Sequence, residues 1–447
     1  VMIIALGLLL GLGLLIMVAR APALGLVGLV VASLLVPLEL DTGTGTGIGI
    51  NLVLVVGLAG IWIIRAATRQ DESLLPTSRA VLPLLALCLV AILALGIGQL
   101  PWFAFVRGAP MRAQVGGLAT ILMSVATFLL AATQIRRLAW LQTITWIFVA
   151  LGGTIVASQL VGGPFRIVNN LIALGSLGSL FWIWLTAMAA AQALFNSRLS
   201  RHWRIVLATL VLAIFYLNLF HGSPWVSGWL PPLVTLLIIM WLGMPRIAAA
   251  VLVASVVAVF TTANWASRFN LLGDNEYSLL TRLEAWRILG EIVRVSPLLG
   301  LGPANYYWYA PLFPILGYSV RFSSHNNYVD LTAQTGILGL VCFLAFAIAM
   351  TIALWRLIKM APDGFPSAYA IGALGGLGGT LAAGMLGDWV IPFVYNVGMK
   401  GMRASLIGWL FLGGVVALDR IVKSEKLVDE RHGAATARTR AIQFARH

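Results

Sequence analysis

Residues 325–355 read "HNNYVDLTAQTGILGLVCFLAFAIAMTIALW": a short polar opening, then an apolar run with no charge from Ile337 to Trp355. About 20 such residues in a helix cross the hydrocarbon core of a bilayer. The run is continuously apolar and does not alternate with period two, so it reads as a helix and not as a strand of a membrane barrel. The polar opening is the anomaly, because it sets a histidine and two asparagines, preceded by the serine pair Ser323 and Ser324, at the mouth of a helix bound for lipid.

Runs of the same kind recur along the 447-residue chain, which is 60% hydrophobic and 10% charged. Soluble domains carry about 25% charged residues, and the mean hydropathy here is +0.96. Candidate spans lie near 1–18, 23–40, 49–65, 81–99, 115–135, 140–162, 171–195, 205–220, 229–243, 247–264, 328–357, 368–386 and 404–419. Allowing for a short or re-entrant segment, the expected fold class is an all-α polytopic membrane protein with about 12 transmembrane helices. Val1 already stands inside an apolar run, so preceding residues are expected in the natural chain, and no cleavable leader stands out.

The net charge of +14 is scattered through short loops and a C-terminal tail. That is the distribution of the positive-inside rule and argues for no nucleic-acid partner. The tail after Asp419 is cytoplasmic on this reading. Counting back, Arg356 and Lys359, Arg246, Arg198 with Arg201 and Arg204, Arg136 with Arg137, and Arg65, Arg69 and Arg79 fall on the same side. The loop "DTGTGTG" at 41–47 and one long segment, 265–327, fall outside.

The expected organisation is therefore an N-terminal transmembrane bundle (1–264), a large periplasmic segment (265–327), C-terminal transmembrane helices with a short periplasmic loop (328–419), and a basic cytoplasmic tail (420–447). Beyond about residue 430 the Ala, Thr and Arg bias predicts disorder. Cys88 and Cys342 lie in apolar runs and read as packing residues.

Within the long segment, "LLTRLEAWRILGEIV" places Leu279, Leu283, Trp286, Leu289 and Val293 at three- and four-residue steps, an amphipathic helix with Arg282 and Arg287 off the stripe. "SPLLGLGPANYY" stops it with Pro297 and the flexible Gly300 and Gly302. The "YYWY" at 306–309 reads as an interfacial aromatic belt or a sugar platform.

The outer side also collects the polar residues a water-filled site needs: Arg268, Arg282, Arg287, Arg294, Arg321 and His325, then Asp388, Lys400 and Arg403 on the last loop. Guanidinium groups suit phosphate oxygens, because they hold their charge and offer a rigid fork of donors. His325 has an unperturbed pKa near neutrality and is the candidate general base, or else a solvated loop residue. Asn326 and Asn327 are candidate caps for the helix that follows. Arg282 could instead bridge Glu284 or Glu291, Asp388 could pair Arg403, and Asp330 or Gln334 could orient the imidazole. No Walker A, C-x-x-C or H-E-x-x-H pattern occurs, and the outer face gathers too few carboxylates for a Mg²⁺ cage. Neither metal nor any other cofactor is expected.

Taken together, "HNNYVDLTAQTGILGL" resembles the His-Asn, Tyr, Gly-x-x-Gly signature of the bacterial O-antigen ligase and polymerase superfamily. Upstream, "TRLEAWRILGEIVRVSPLLGLGPANY" resembles its Arg-x-x-x-Trp and Pro-Leu-Leu-Gly-x-Gly segment, and "GDWVIPF…GMKGMRAS" its last-loop aspartate and arginine. The resemblance covers roughly residues 264–410. It implies a GT-C-type glycosyltransferase of the bacterial inner membrane, with a site facing the periplasm. Such enzymes move O-antigen polysaccharide from undecaprenyl pyrophosphate to lipid A–core oligosaccharide in lipopolysaccharide biosynthesis, and the related polymerases use a second lipid-linked unit as acceptor.

It further implies that His325 is catalytic, with Arg282, Arg403, Arg268 and Asp388 around the pyrophosphate or the acceptor; Asn326 and Lys400, from the reading of the residues themselves, join the candidate substrate-binding set. Two positions depart from the pattern. Gln334 stands where members often carry glutamate, and "LFHGSPWVSG", with His221, stands where many carry an arginine. A transporter of lipid-linked glycans is the rival from another class, but it would place ionisable residues mid-span in repeated halves.

Overall fold

The computed structural model describes residues 21–36, 39–41, 47–68, 75–161, 178–221, 226–261 and 276–444. The expected span 1–18, the start of the span at 171–195, and Arg268 lie outside them. The chain opens with α1 (Pro22–Leu35) and a two-stranded antiparallel hairpin, β1 (Glu39–Asp41) and β2 (Gly47–Gly49), that sets Leu40 opposite Ile48. Helices α2 (Ile50–Thr68), α3 (Val81–Ile97), α4 (Met111–Gln134), α5 (Leu138–Val161), α6 (Gly178–Phe195), α7 (Arg201–Phe220), α8 (Val226–Gly243) and α9 (Pro245–Thr261) follow. After them come α10 (Glu276–Ile292), the single turn α11 (Tyr306–Tyr309), α12 (Asn327–Met360), α13 (Phe365–Leu386) and α14 (Met402–Phe444).

Among the described residues, nine helices are long and apolar enough to span a membrane: α2, α4 to α8, α12, α13 and the first part of α14. Helices α1, α3 and α9 are apolar but shorter. The protein is thus an all-α polytopic membrane protein with about nine candidate spans among the described residues, where about 12 were expected for the whole chain from apolar runs alone.

Two expected boundaries move. The span at 23–40 stops at Leu35, and Val36 is extended at φ −105°, ψ 101°, because a proline follows it and disfavours helical backbone in the residue before. The tail expected to be disordered continues α14 to Phe444, in keeping with the high helix propensity of its Ala, Arg, Lys and Glu.

Helix α14 runs through the middle of the bundle against α4 and α6, where Trp184 stacks on Phe411 with ring centroids 5.3 Å apart. Helix α13 packs almost backbone to backbone on α6 and α8. A Cβ added at Gly372, Gly375 or Gly379 would stand 2.8, 2.8 or 2.9 Å from Ala187 O, Thr235 O or Pro231 O. Small residues of this kind let helices pack closely where lipid removes the hydrophobic drive.

The two ends of the bundle differ. At one end Arg420 donates to the Ile135 carbonyl (2.8 Å), Arg204 to the Ala193 carbonyl (2.7 Å), Arg198 lies on Gly364, and Arg79, Arg356 and Lys423 line one groove. The segments 98–110, 293–326 and 387–401 gather at the other.

A bend in α12 organises that second end. Gly336 sits at φ 69°, ψ −173°, which breaks the helical ladder. Segment 297–302 occupies the break. Leu301 and Gly302 donate N–H to Ala333 and Gln334 (3.0 and 3.1 Å), while Pro297 and Leu298 accept from Ile337 and Leu338 (2.9 and 3.2 Å). A Cβ on Gly336 would lie 2.1 Å from Leu298 O, and one on Gly300 2.6 Å from Gly336 N. The glycines expected to be flexible therefore make a fitted strap, held at positive φ against a second backbone.

Candidate active site

Helix α10 brings the first arginine. Its buried face is Ala285, Ile288, Leu289 and Ile292, continued by Val293 in the following turn. Of the expected stripe, Leu289 and Val293 are buried and Trp286 half-buried, but Leu283 is 49% exposed. The helix is rotated because the Trp286 indole N–H donates to Ser324 O at 2.8 Å. Arg282 precedes Trp286 by four residues, so it lies on the same face. Anchoring the tryptophan beside Ser324 sets the Arg282 guanidinium near His325, where its charge lowers the imidazole pKa. Arg287 takes both Glu284 (2.7 Å) and Glu291 (2.5 Å), the carboxylates named above as alternative partners of Arg282.

His325 occupies a left-handed backbone conformation at φ 49°, uncommon outside glycine and worth a functional question. Ser324 and Asn326 hold it from either side. The Ser324 hydroxyl accepts the Asn326 N–H (3.0 Å) and donates to Asp330 Oδ1 (2.7 Å). Asn326 caps α12, accepting from the N–H groups of Tyr328 (2.9 Å) and Val329 (3.4 Å), as its place in the sequence predicts. Asn327 does something else: it accepts from Val390 N–H (2.8 Å) and donates to Ile391 O (2.7 Å), tying α12 to the last loop. Burial, then the charge of Arg282, push the His325 imidazole down to about 4, so it is neutral at pH 7.

The last loop, 387–401, supplies the imidazole's neighbour. Asn396 Nδ2 lies 3.1 Å from His325 Nδ1 and also bonds Asp388 Oδ1. Asp388 is fully buried, and its Oδ2 accepts from Phe393 N–H at 2.8 Å and Val397 N–H at 3.4 Å. Burial raises the Asp388 carboxyl above the usual carboxylate range, while these hydrogen bonds pull it back. Nearby, Asp330 Oδ1 also accepts from the Tyr306 hydroxyl, so Asp330 orients α11 and Ser324. Gln334 is spent on the strap, its Oε1 accepting from Ala304 N–H at 3.2 Å.

The aromatic run packs on the same loop: Tyr306 stacks on Phe393 (4.8 Å), Tyr307 on Tyr395 (4.5 Å), and Trp308 Nε1 donates to the Tyr395 hydroxyl (2.8 Å). Arg321 caps Trp308, 3.8 Å above its ring. The segments around 282–327 and 388–398 therefore meet, and they meet at His325.

The remaining candidates spread out. Arg403 is buried, and its Nε donates to Ser33 O (2.9 Å) with Nη2 at 3.5 Å from Leu34 O, covering carbonyls at the end of α1 that have no helical partner. Lys400 is exposed in a turn beside β2, and His221 is exposed at the end of α7. Sequence reading missed Asn396, the Tyr306–Asp330–Ser324 cluster and the tether of Asn327. Asn396 shares a short loop with Asp388, but nothing in the local sequence sets it apart from other polar loop residues.

Fold and site together define a polytopic helical membrane protein with a histidine–amide–carboxylate cluster and a nearby arginine at one end of its bundle. Residues 207–344 match the family model described as Wzy_C, O-Antigen ligase. The match contains Arg282, His325 and the Gly336 bend, and stops before Asp388 and Asn396. No curated protein matches the chain. One similar solved structure, described by the words "Structural coordination of polymerization and crosslinking by a peptidoglycan synthase complex", is 17% identical, covers 76% of this chain and 97% of that chain, and has a TM-score of 0.41. The matched family comprises glycosyl-transferring ligases and related polymerases acting on lipid-linked glycans.

Proposed function

We propose that this protein is an O-antigen ligase that transfers polysaccharide from undecaprenyl pyrophosphate to lipid A–core oligosaccharide at the periplasmic face of the inner membrane. The observation that carries the reading is the meeting of Arg282, His325, Asn396 and Asp388, inside and just beyond the matched domain. The orientation rests on the basic groups at the opposite end of the bundle, which the positive-inside rule assigns to the cytoplasm.

In the reaction Arg282 pairs the diphosphate and stabilises the charge that develops on it as the glycosidic bond breaks. The neutral imidazole of His325 takes the proton of the acceptor hydroxyl as that oxygen attacks the anomeric carbon, and a single displacement inverts the anomeric centre. The diphosphate departs with the bonding pair. Arg282 depresses the imidazole in the empty site, and a bound diphosphate offsets that charge, so basicity rises when the donor arrives. Arg268 belongs to the same proposal as a further diphosphate contact. Lys400, at the end of the last loop, and Arg403, at the start of α14, belong to the proposal as outer diphosphate or acceptor contacts, and Asn326 holds the histidine at the mouth of α12.

The test is transfer by the purified full-length protein from undecaprenyl-pyrophosphate glycan to lipid A–core, with a second lipid-linked unit and water as competing acceptors. Lipid A–core product is expected, lost with Arg282→Ala and His325→Ala and unaffected by EDTA. Extension of the lipid-linked unit alone would make the protein a polymerase, and His325→Ala with near-normal transfer would remove the base.

A further inference from the structure

The amide of Asn396 is placed between two groups that each have two protonation states. Its Nδ2 bonds Asp388 Oδ1 and lies 3.1 Å from His325 Nδ1. An amide nitrogen only donates and an amide oxygen only accepts, and the same atom faces both neighbours. Two arrangements satisfy all three groups. With Asp388 ionised, Asn396 turns its NH₂ toward them and donates one proton to the carboxylate and one to Nδ1; the neutral imidazole then carries its hydrogen on Nε2. With Asp388 protonated, the amide turns over, and its oxygen accepts from the carboxylic acid and from an Nδ1–H; Nε2 then holds the lone pair.

We infer that Asn396 reports the protonation of Asp388 to His325 as a choice of tautomer, and that the base-competent imidazole is the one formed when Asp388 is neutral. Going from the first arrangement to the second takes up one proton from solvent on Asp388, rotates the amide half a turn, and exchanges the imidazole proton from Nε2 to Nδ1 through solvent. When Nε2 then receives the acceptor proton, the imidazolium keeps its Nδ1–H on the Asn396 oxygen.

The surroundings bear on both ends. Asp388 faces Asp330 and the Tyr306 hydroxyl across α12 and α11, and it is held by N–H groups of its own loop. His325 faces Arg282 from α10. Burial of Asp388 favours its neutral form, and the Phe393 N–H still finds an acceptor in the carbonyl oxygen of the acid. Asn396 is a positioning residue on this account, since it acts through His325.

The inference rests on His325 being the transfer base, but the tautomer is measured without substrate. The full chain carrying ¹³C,¹⁵N-histidine in lipid vesicles is examined by solid-state NMR between about pH 5 and about pH 9, where an unperturbed histidine and a raised carboxyl both titrate. The signal lost in His325→Ala identifies the residue. Wild type is expected to pass from Nδ1–H to Nε2–H as pH rises. Asp388→Asn, whose amide donates to Asn396 as the acid does, is expected to stay Nδ1–H throughout, and Asn396→Ala to lose the pH-dependent change. A single tautomer across the range in wild type, or a wild-type change in Asn396→Ala, overturns the proposal. A tautomer change in a protein that transfers no glycan would refute the ligase reading and leave the switch standing.

Discussion

The two ends of the bundle handle charge in opposite ways. At the basic end the cations sit at the surface, on helix-end carbonyls or opposite exposed carboxylates, as Lys423 does on Asp419 at 2.6 Å. At the other end two aspartates, Asp330 and Asp388, are buried to 1% and 0% exposure among tyrosine, serine and asparagine donors. Charge used for orientation needs only a side of the membrane, so it can remain hydrated. A carboxyl taken out of water costs several kcal/mol unless it is bonded or neutral, so its burial beside a histidine marks a place where protonation is managed. Perturbed groups of this kind concentrate at functional sites.

The sharpest way to break that contrast is at the imidazole. His325→Ala should lower transfer by about 10²- to 10⁴-fold, the usual range for a positioned acid or base, while thermal unfolding in detergent stays close to wild type. A loss of similar size from Arg201→Ala, at the basic end, would erase the distinction.

The bend comes next. Gly336→Ala forces a side chain into positive φ and within 2.1 Å of Leu298 O. We expect a cost of about 2 kcal/mol or more from backbone strain and the displaced strap, seen as a lower melting temperature with transfer lost in parallel. Gly290→Ala, on the open face of α10, meets nothing within 4 Å and should be neutral or slightly stabilising, by up to about 1 kcal/mol.

The pH dependence follows with a smaller expected change. A base works when unprotonated, and the His325 pKa lies at about 4. On its account kcat/KM should therefore be level through mildly acid pH and fall only as pH drops through about 4, since kcat/KM reports the free enzyme. Removing Arg282 removes one of the two depressing causes. The acid limb of the residual activity of Arg282→Ala should thus move to higher pH.

How much of this was legible in the sequence divides along the same line. Apolar runs are continuous, so the helical membrane class and most spans followed from composition. Arg282, Trp286 and His325 could be singled out because motifs set them at fixed spacing. The strap on Gly336 was legible as glycines but not as a contact, since its partner backbone lies more than thirty residues away; Gly300 and Gly302 read as freedom and turned out to be fit. Asn396 was invisible for a different reason. Nothing local distinguishes it from any polar loop residue, and only the approach of His325, 71 residues earlier, gives its amide a task.

The smallest expected effect makes the most discriminating control, because it stays on one helix. Arg287 lies five residues beyond Arg282 on α10, exposed, and holds Glu284 and Glu291 at 2.7 and 2.5 Å. That pairing lowers the Glu284 pKa, but surface ion pairs of this kind contribute little once side-chain entropy and salt screening are counted. Arg287→Ala should therefore leave transfer and melting temperature unchanged, and raising the salt concentration should not alter that result. If Arg287→Ala reduced transfer as far as Arg282→Ala does, positive charge anywhere on α10 would be enough. The anchoring of Trp286 to Ser324, which selects one arginine over the other, would then have no part in the chemistry.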